Sequence, residues 1–238
     1  MKNFAAVCLI LLAAVNAPRS AEAQKRCECG PERFEARIGQ LNGLVYNGTA
    51  IAQLNNIEGA IDFTQGRTGL EIHSYQMNYV TKLKIITDVK GNYTYTIMGG
   101  ACTKTPAMSI GSACLPKEAS FAGTYYFGDR ELYLDSFSYY GGEKGTIEGN
   151  YSVSVAQDSC VPVSVTIYGK TLQEPSLPIV SNSGYTEFRY GIRDPERWFD
   201  VPDICKKVAL KGVKEASRND KSGVKLASLI HSLIKPTH

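Results

Sequence analysis

FRYGIRDPERWFDVPDIC, residues 188–205, holds the densest set of structural commitments in the chain. Phe188, Tyr190 and Ile192 fall on one face, with Glu187, Arg189 and Arg193 on the other, the period-two pattern of a half-buried strand. Asp194-Pro195 ends the strand, because proline fixes its own φ and biases the residue before it away from helix. After the turn come the single tryptophan, Trp198, then Phe199, Pro202 and Cys205. A strand closed by a rigid turn, an aromatic wedge and a cysteine predicts that one edge of the fold is stapled to another here. The partner lies upstream.

Met1 to Ala23 reads as a secretory signal: Lys2 supplies the positive start, Phe4 to Val15 the apolar stretch, and Ala21-Glu22-Ala23 the small-residue cleavage site. The mature body is then 24–205, followed by a basic tail, 206–238, with eight basic residues against Glu215 and Asp220. No later segment forms an apolar run long enough for a membrane helix. Cys8 leaves with the signal, and six cysteines remain: Cys27, Cys29, Cys102, Cys114, Cys160 and Cys205. An even set in an oxidising compartment predicts disulfides, whose connectivity spacing alone leaves open. Cys27-Glu28-Cys29 lacks the gap of a zinc knuckle, and no histidine lies near any cysteine. Sequons at Asn47, Asn92 and Asn150 fit export, with Asn92 beside a Lys90-Gly91 turn and Asn150 on the polar face of its strand.

From Arg33 to Ile192 the chain reads as strand after strand. Phe34, Ala36 and Ile38 alternate with polar neighbours, and a segment around Leu44 to Leu54 follows. Gly59 to Phe63 and Gly69 to Tyr75 flank a Gln65-Gly66-Arg67 turn. Leu83 to Thr87 and Tyr93 to Met98 flank a second turn, and Gly123 to Phe127 and Glu131 to Phe137 meet at Gly128-Asp129-Arg130. In the clearest hairpin, Ile147, Tyr151, Val153 and Val155 share a face, and Val161, Val163, Val165 and Ile167 share a face of the return strand. Lys170 to Gly184, with Pro175 and Pro178, reads as a loop, and Leu226, Leu229, Ile230 and Leu233 line one side of a short C-terminal helix. These patterns predict one all-β domain, an extracellular sandwich or open barrel.

Three marks together resemble the ependymin family. They are Cys29-x-Pro31 with Phe34 near the mature start, Cys160-x-Pro162 late in the sheet, and Gly191-Ile192-Arg193-Asp194-Pro195 leading to Phe199, Pro202 and Cys205. The resemblance implies two stacked, curved antiparallel sheets around an apolar cavity, similar to bacterial lipoprotein carriers. It also implies the pairs Cys29–Cys160 and Cys102–Cys205, leaving Cys27 with Cys114. That third bridge and the long basic tail differ from the vertebrate pattern and point to an invertebrate branch. The function implied is a secreted, glycosylated, calcium-binding protein of extracellular fluid or matrix, active in cell-matrix adhesion, often a homodimer, with a lipid-like hydrophobic ligand in some relatives. The alternative is a structural component of an invertebrate shell matrix with no small-molecule ligand.

The residues argue against other classes. His73 is the only histidine of the body, so a histidine-based catalytic dyad has a single candidate base, and the cysteines are claimed by disulfides. A carboxylate pair among Asp62, Glu71, Asp129, Asp135 and Glu148 is invisible in sequence. Phosphate loops and nucleic-acid motifs are absent, and we expect neither an enzyme nor a nucleic-acid partner. Asp62 to Gly66 starts like an EF-hand, but its glycine comes one place early and no glutamate closes the loop. Calcium would therefore rest on scattered carboxylates or glycans, with no cofactor and no nameable metal ligands.

Overall fold

The computed structural model describes residues 27–76, 79–107, 109–142, 147–172 and 176–209. The expected signal and the helix around Leu226 to Leu233 lie outside these residues, as does nearly all of the basic tail.

Eleven strands follow in chain order: β1 (Arg33–Tyr46), β2 (Thr49–Asp62), β3 (Arg67–Gln76), β4 (Tyr79–Asp88), β5 (Tyr93–Met98), β6 (Ala101–Thr105), β7 (Ser120–Phe127), β8 (Leu132–Gly141), β9 (Ile147–Ala156), β10 (Pro162–Thr171) and β11 (Pro178–Tyr190). Two short helices, α1 (Pro195–Phe199) and α2 (Asp203–Lys206), complete the described fold. The all-β antiparallel class is as expected, but the two stacked sheets are one. The ladder runs β6-β5-β4-β3-β2-β1-β11-β10-β9-β8-β7 without a break. The physical reason is β11, which returns to pair with β1 on one side and β10 on the other, fusing two meanders. The sheet does not close, so β6 and β7 remain its edges.

Several local expectations change. Leu44 to Leu54 is a hairpin: Asn47 and Gly48 adopt φ of 50° and 74°, the left-handed pair that a tight two-residue turn requires. From Arg33↔Asp62 to Tyr46↔Thr49 the register of β1 and β2 never slips. Most of the expected Lys170 to Gly184 loop is strand. Pro178 is tolerated because it is the first residue of β11, where its missing N–H matters least. The short β6 escaped the reading because Ala-Cys-Thr-Lys-Thr has no alternation.

At the end of β11 the simple alternation fails. A register shift opposite Glu35 to Arg37 and a φ of 49° at Glu187 leave Phe188 stacked on Phe34 at 4.8 Å and Tyr190 exposed, while Ile192 lies beyond the strand. A second shift, between Pro162 and Ser164, breaks the Val161/Val163/Val165/Ile167 face. Only Val165 and Ile167 oppose Val153 and Tyr151.

The C-terminal segment lies across the outer face of β3 to β6. Asp194 caps α1 by accepting from the Arg197 N–H at 3.0 Å, with Pro195 at the first helical position. Arg197 donates to Glu58 and Glu71 at 3.2 and 2.9 Å, and Trp198 Nε1 donates to Glu35 at 3.3 Å. Cys205 is bonded to Cys102 and buried with Ile86 and Tyr95. The staple predicted from residues 188–205 is this arm.

Candidate roofed cleft on the concave face

The inner face of the sheet carries a cleft. Its floor comes from β1 and β2 (Phe34, Ile61), β8 and β9 (Tyr139, Tyr151) and β10 and β11 (Val165, Tyr185). Alternation puts these apolar side chains on one face because β-strand side chains repeat every second residue. Tyr139 and Tyr151 stack with centroids 5.0 Å apart and rings nearly parallel at 3°. Phe63, which also lines the cleft, tilts against Phe34 at 6.4 Å.

The roof is not sheet. It consists of residues 27–31 and 112–116, two extended segments joined to each other. Gly30 N–H donates to the Ala113 carbonyl at 2.7 Å, Leu115 N–H donates to the Glu28 carbonyl at 2.8 Å, and Cys29 is bonded to Cys114 between them. Cys27, itself buried, is bonded to Cys160 at the turn from β9 to β10. The roof is thus tied covalently both to itself and to the floor.

This corrects the pairing implied by resemblance. Cys29 bonds Cys114 rather than Cys160, and Cys27 bonds Cys160 rather than Cys114. With one residue between Cys27 and Cys29, an extended backbone points the two side chains to the same side, so spacing could not assign the partners. The antiparallel bridge between Cys29 and Cys114 decides the match. The third pair, Cys102–Cys205, is the one the resemblance implies.

The cleft is nearly uncharged, with Glu28 the only carboxylate among its lining residues. Desolvation pushes the phenol of Tyr185 up to about 12, so it is neutral at physiological pH. The enclosed volume is about 90 Å³. Among the inward residues named in the sequence reading, Tyr151, Val153, Val155 and Val165 line it; Ile147 and Ile167 are buried in the neighbouring core, and Phe188 packs beside the floor on Phe34. Tyr185 and the roof were missed. Tyr185 lay between the expected loop, which ended at Gly184, and the strand read from Phe188, and no local pattern marks residues 112–116 as a cover.

The remaining candidates do not converge. The carboxylate of Asp62 holds a turn, accepting from the Thr64 hydroxyl at 2.6 Å and the Gln65 N–H at 3.0 Å, with Arg33 and Arg67 beside it. Asp135 accepts from Thr124 and Gln157, each at 2.7 Å, while Glu71 and Glu148 lie in ion pairs on the outer face. Among the described residues no group of three or more His, Cys, Asp or Glu side chains could hold a metal ion. Asn47, Asn92 and Asn150 are all exposed, the first two at positive φ in turns. Among the described residues no helix is long and apolar enough to cross a membrane.

Residues 77–205 match the family model described as Ependymin, which covers the final staple and the floor strands from β8 to β11. The development-specific protein LVN1.2 of Lytechinus variegatus is 31% identical over 161 residues, spanning 62% of this chain and 84% of that relative. Solved structures with looser likeness include an uncharacterized conserved protein from Thermus thermophilus, with TM-score 0.46, 7% identity and coverage of 87% of this chain and 99% of that one. A LolA superfamily protein from Nitrosomonas europaea gives TM-score 0.33 at 8% identity, over 69% of this chain and 89% of that one. The sequence matches and the residues they span therefore establish that this chain belongs to the ependymin family.

Proposed function

We propose that the protein is a secreted, non-catalytic glycoprotein of extracellular fluid or matrix that binds an apolar ligand beneath the roof formed by residues 27–31 and 112–116. The observation that supports this reading is the roofed cleft: aromatic and aliphatic side chains from six strands converge under a cover that two disulfides hold in place. Its volume of about 90 Å³ falls below the roughly 300–1,000 Å³ of sites that engulf a drug-sized molecule. The cleft therefore takes the end of an apolar chain, and the remainder lies along the concave face. Three disulfides support export, because such bonds persist in oxidising compartments. Calcium associates through glycans on the exposed sequons and through dispersed carboxylates, and matrix attachment and a homodimeric state follow the family.

The test is displacement of an environment-sensitive fluorescent probe by fatty acids and phospholipids from disulfide-intact protein, with and without the residues after Lys206. Saturable displacement that survives tail removal is expected. An absence of binding, or binding only through the tail and abolished by salt, would leave a structural matrix role without a small-molecule ligand.

A further inference from the structure

The concave face changes character along its length. On β1 the inward positions run Phe34, Ala36, Ile38, then Gln40 and Asn42. Because the register with β2 is unbroken, Gln40 stands opposite Asn55 and Asn42 opposite Gln53. The first polar row extends across four strands, Ser183↔Gln40↔Asn55↔Ser74. The same stretch of sheet carries its apolar residues on the outside. Leu41 and Leu54, opposite one another, are 56% and 47% exposed, whereas Gln40, Asn42 and Asn55 are each 0% exposed. Polarity is inverted with respect to burial, and no slip in pairing produces the inversion.

The amides form a directed cluster. Gln40 Oε1 accepts from Asn55 Nδ2 at 2.8 Å and from Asn42 Nδ2 at 3.2 Å, and Gln40 Nε2 donates to the Ser183 hydroxyl at 3.2 Å. That fills the Gln40 carbonyl, while Asn42 Oδ1, Asn55 Oδ1 and the Ser181 hydroxyl have no hydrogen-bond partner among the described residues. Each buried carbonyl left unmet costs about 1–3 kcal/mol, a cost that apolar residues at these positions would avoid. Stability alone gives no reason to keep it.

Resting on the reading of the concave face as a ligand site, we infer that this cluster receives the head group of a single-chain amphiphile whose head is uncharged and bears hydroxyl or amide N–H donors. The carbonyls of Asn42 and Asn55 have no donor at all, so a hydroxyl or N–H is what they lack, and a hydroxyl can in turn accept from an amide N–H left over beside them. A carboxylate or phosphate head brings no donor for these two carbonyls, and no cation among the inward residues of these rows offsets the cost of burying its charge. The tail runs from the cluster past Ile38 and Tyr185 toward the roofed cleft. From Gln40 to Phe34 is six residues of strand, or about 20 Å, a span suited to a long hydrocarbon chain. Because the cluster is closed to solvent, the head enters after the concave face parts, so association falls well below the diffusional range.

The experiment compares 1-oleoylglycerol, methyl oleate, oleate and free glycerol as competitors of the fluorescent probe on the disulfide-intact full chain. The proposal expects oleoylglycerol to bind about tenfold or more tighter than methyl oleate, the gain of two hydrogen bonds, with oleate no tighter than the ester and glycerol alone without effect. Asn42→Leu/Asn55→Leu is expected to abolish the preference while the probe still binds. The milder Ser181→Ala, which leaves volume almost unchanged, should narrow it. Equal affinities for the glyceride and the ester in the native chain, or a preference that survives the double substitution, would overturn the proposal while leaving the cleft intact. If no competitor displaces the probe, the cleft reading falls with it.

Discussion

Trp198 stands so close over Gly69 that no side chain fits between them: a Cβ at Gly69 would lie 2.2 Å from the Trp198 carbonyl oxygen and 2.9 Å from the Trp198 Cβ. The outer face of β3 is thus shaped to seat α1. Gly69→Ala is expected to lower stability by about 1–3 kcal/mol, since the clash is with backbone that cannot swing aside. Chemical denaturation measures the loss. Faster proteolysis after Arg193 and Arg197 would show that the arm has lifted, and unchanged cleavage would show that it had not.

The arm has a covalent anchor as well. Cys102 and Cys205 are 103 residues apart, so their bond closes a long loop, for which chain-entropy reasoning gives roughly 4–5 kcal/mol. The Arg197 pairs with Glu58 and Glu71 are exposed and worth about 1 kcal/mol or less each. Cys102→Ser/Cys205→Ser should therefore destabilise far more than Arg197→Ala, as read from thermal midpoints. A larger loss in Arg197→Ala would show that the ion pairs hold the arm.

Peptide mapping of the non-reduced protein should recover Cys27 with Cys160 and Cys29 with Cys114. Removing the second bond by Cys29→Ser/Cys114→Ser leaves the two roof segments joined to each other by two backbone hydrogen bonds, with Cys27–Cys160 still tying residues 27–31 to the floor. Probe affinity should then change several-fold while the arm's bond between Cys102 and Cys205 stays intact. Equal affinity would mean that the bond does not shape the cleft.

Two groups set expected pH limits. Desolvation pushes the Asp62 pKa up, but the Thr64 hydroxyl, the Gln65 N–H and the guanidinium groups of Arg33 and Arg67 outweigh it and hold the group below the usual carboxylate range. Its contribution is therefore present above about pH 4 and lost as pH falls through the depressed folded value. Asp62→Asn should be less stable than the native chain at neutral pH, and the gap should close in acid. Tyr185 acts at the other end. With its folded pKa pushed to about 12 by desolvation, the unfolded chain ionises first above about pH 10, and stability falls between those values. Tyr185→Phe should remove part of that alkaline slope.

Enzymatic deglycosylation should lower calcium uptake, because among the described residues there is no compact carboxylate group and all three sequons face solvent. Equilibrium dialysis against calcium measures it. Tight stoichiometric binding by glycan-free protein would contradict a glycan-borne interaction.

Local chemistry made much of the molecule legible in sequence. Alternation gave most strands, because burying one face of a sheet forces a period of two. Asp194-Pro195 with Trp198 and Cys205 announced the staple, since a proline turn and an aromatic act at short range. Contacts between distant segments were not legible. One sheet instead of two follows from β11 pairing on both sides, a choice made by strands more than a hundred residues apart. The exchange of partners between Cys27 and Cys29 follows from where residues 112–116 cross the cleft, and the two thiols are chemically identical until that crossing occurs. The amide cluster is the sharpest case. Gln40, Asn42, Gln53 and Asn55 alternate with Leu41 and Leu54, and alternation states only that the two sets lie on opposite faces. Which face turns inward was set lower on the same strands, where Phe34, Ala36, Ile38 and Ile57 are buried and an unbroken register carries that choice to the hairpin tip.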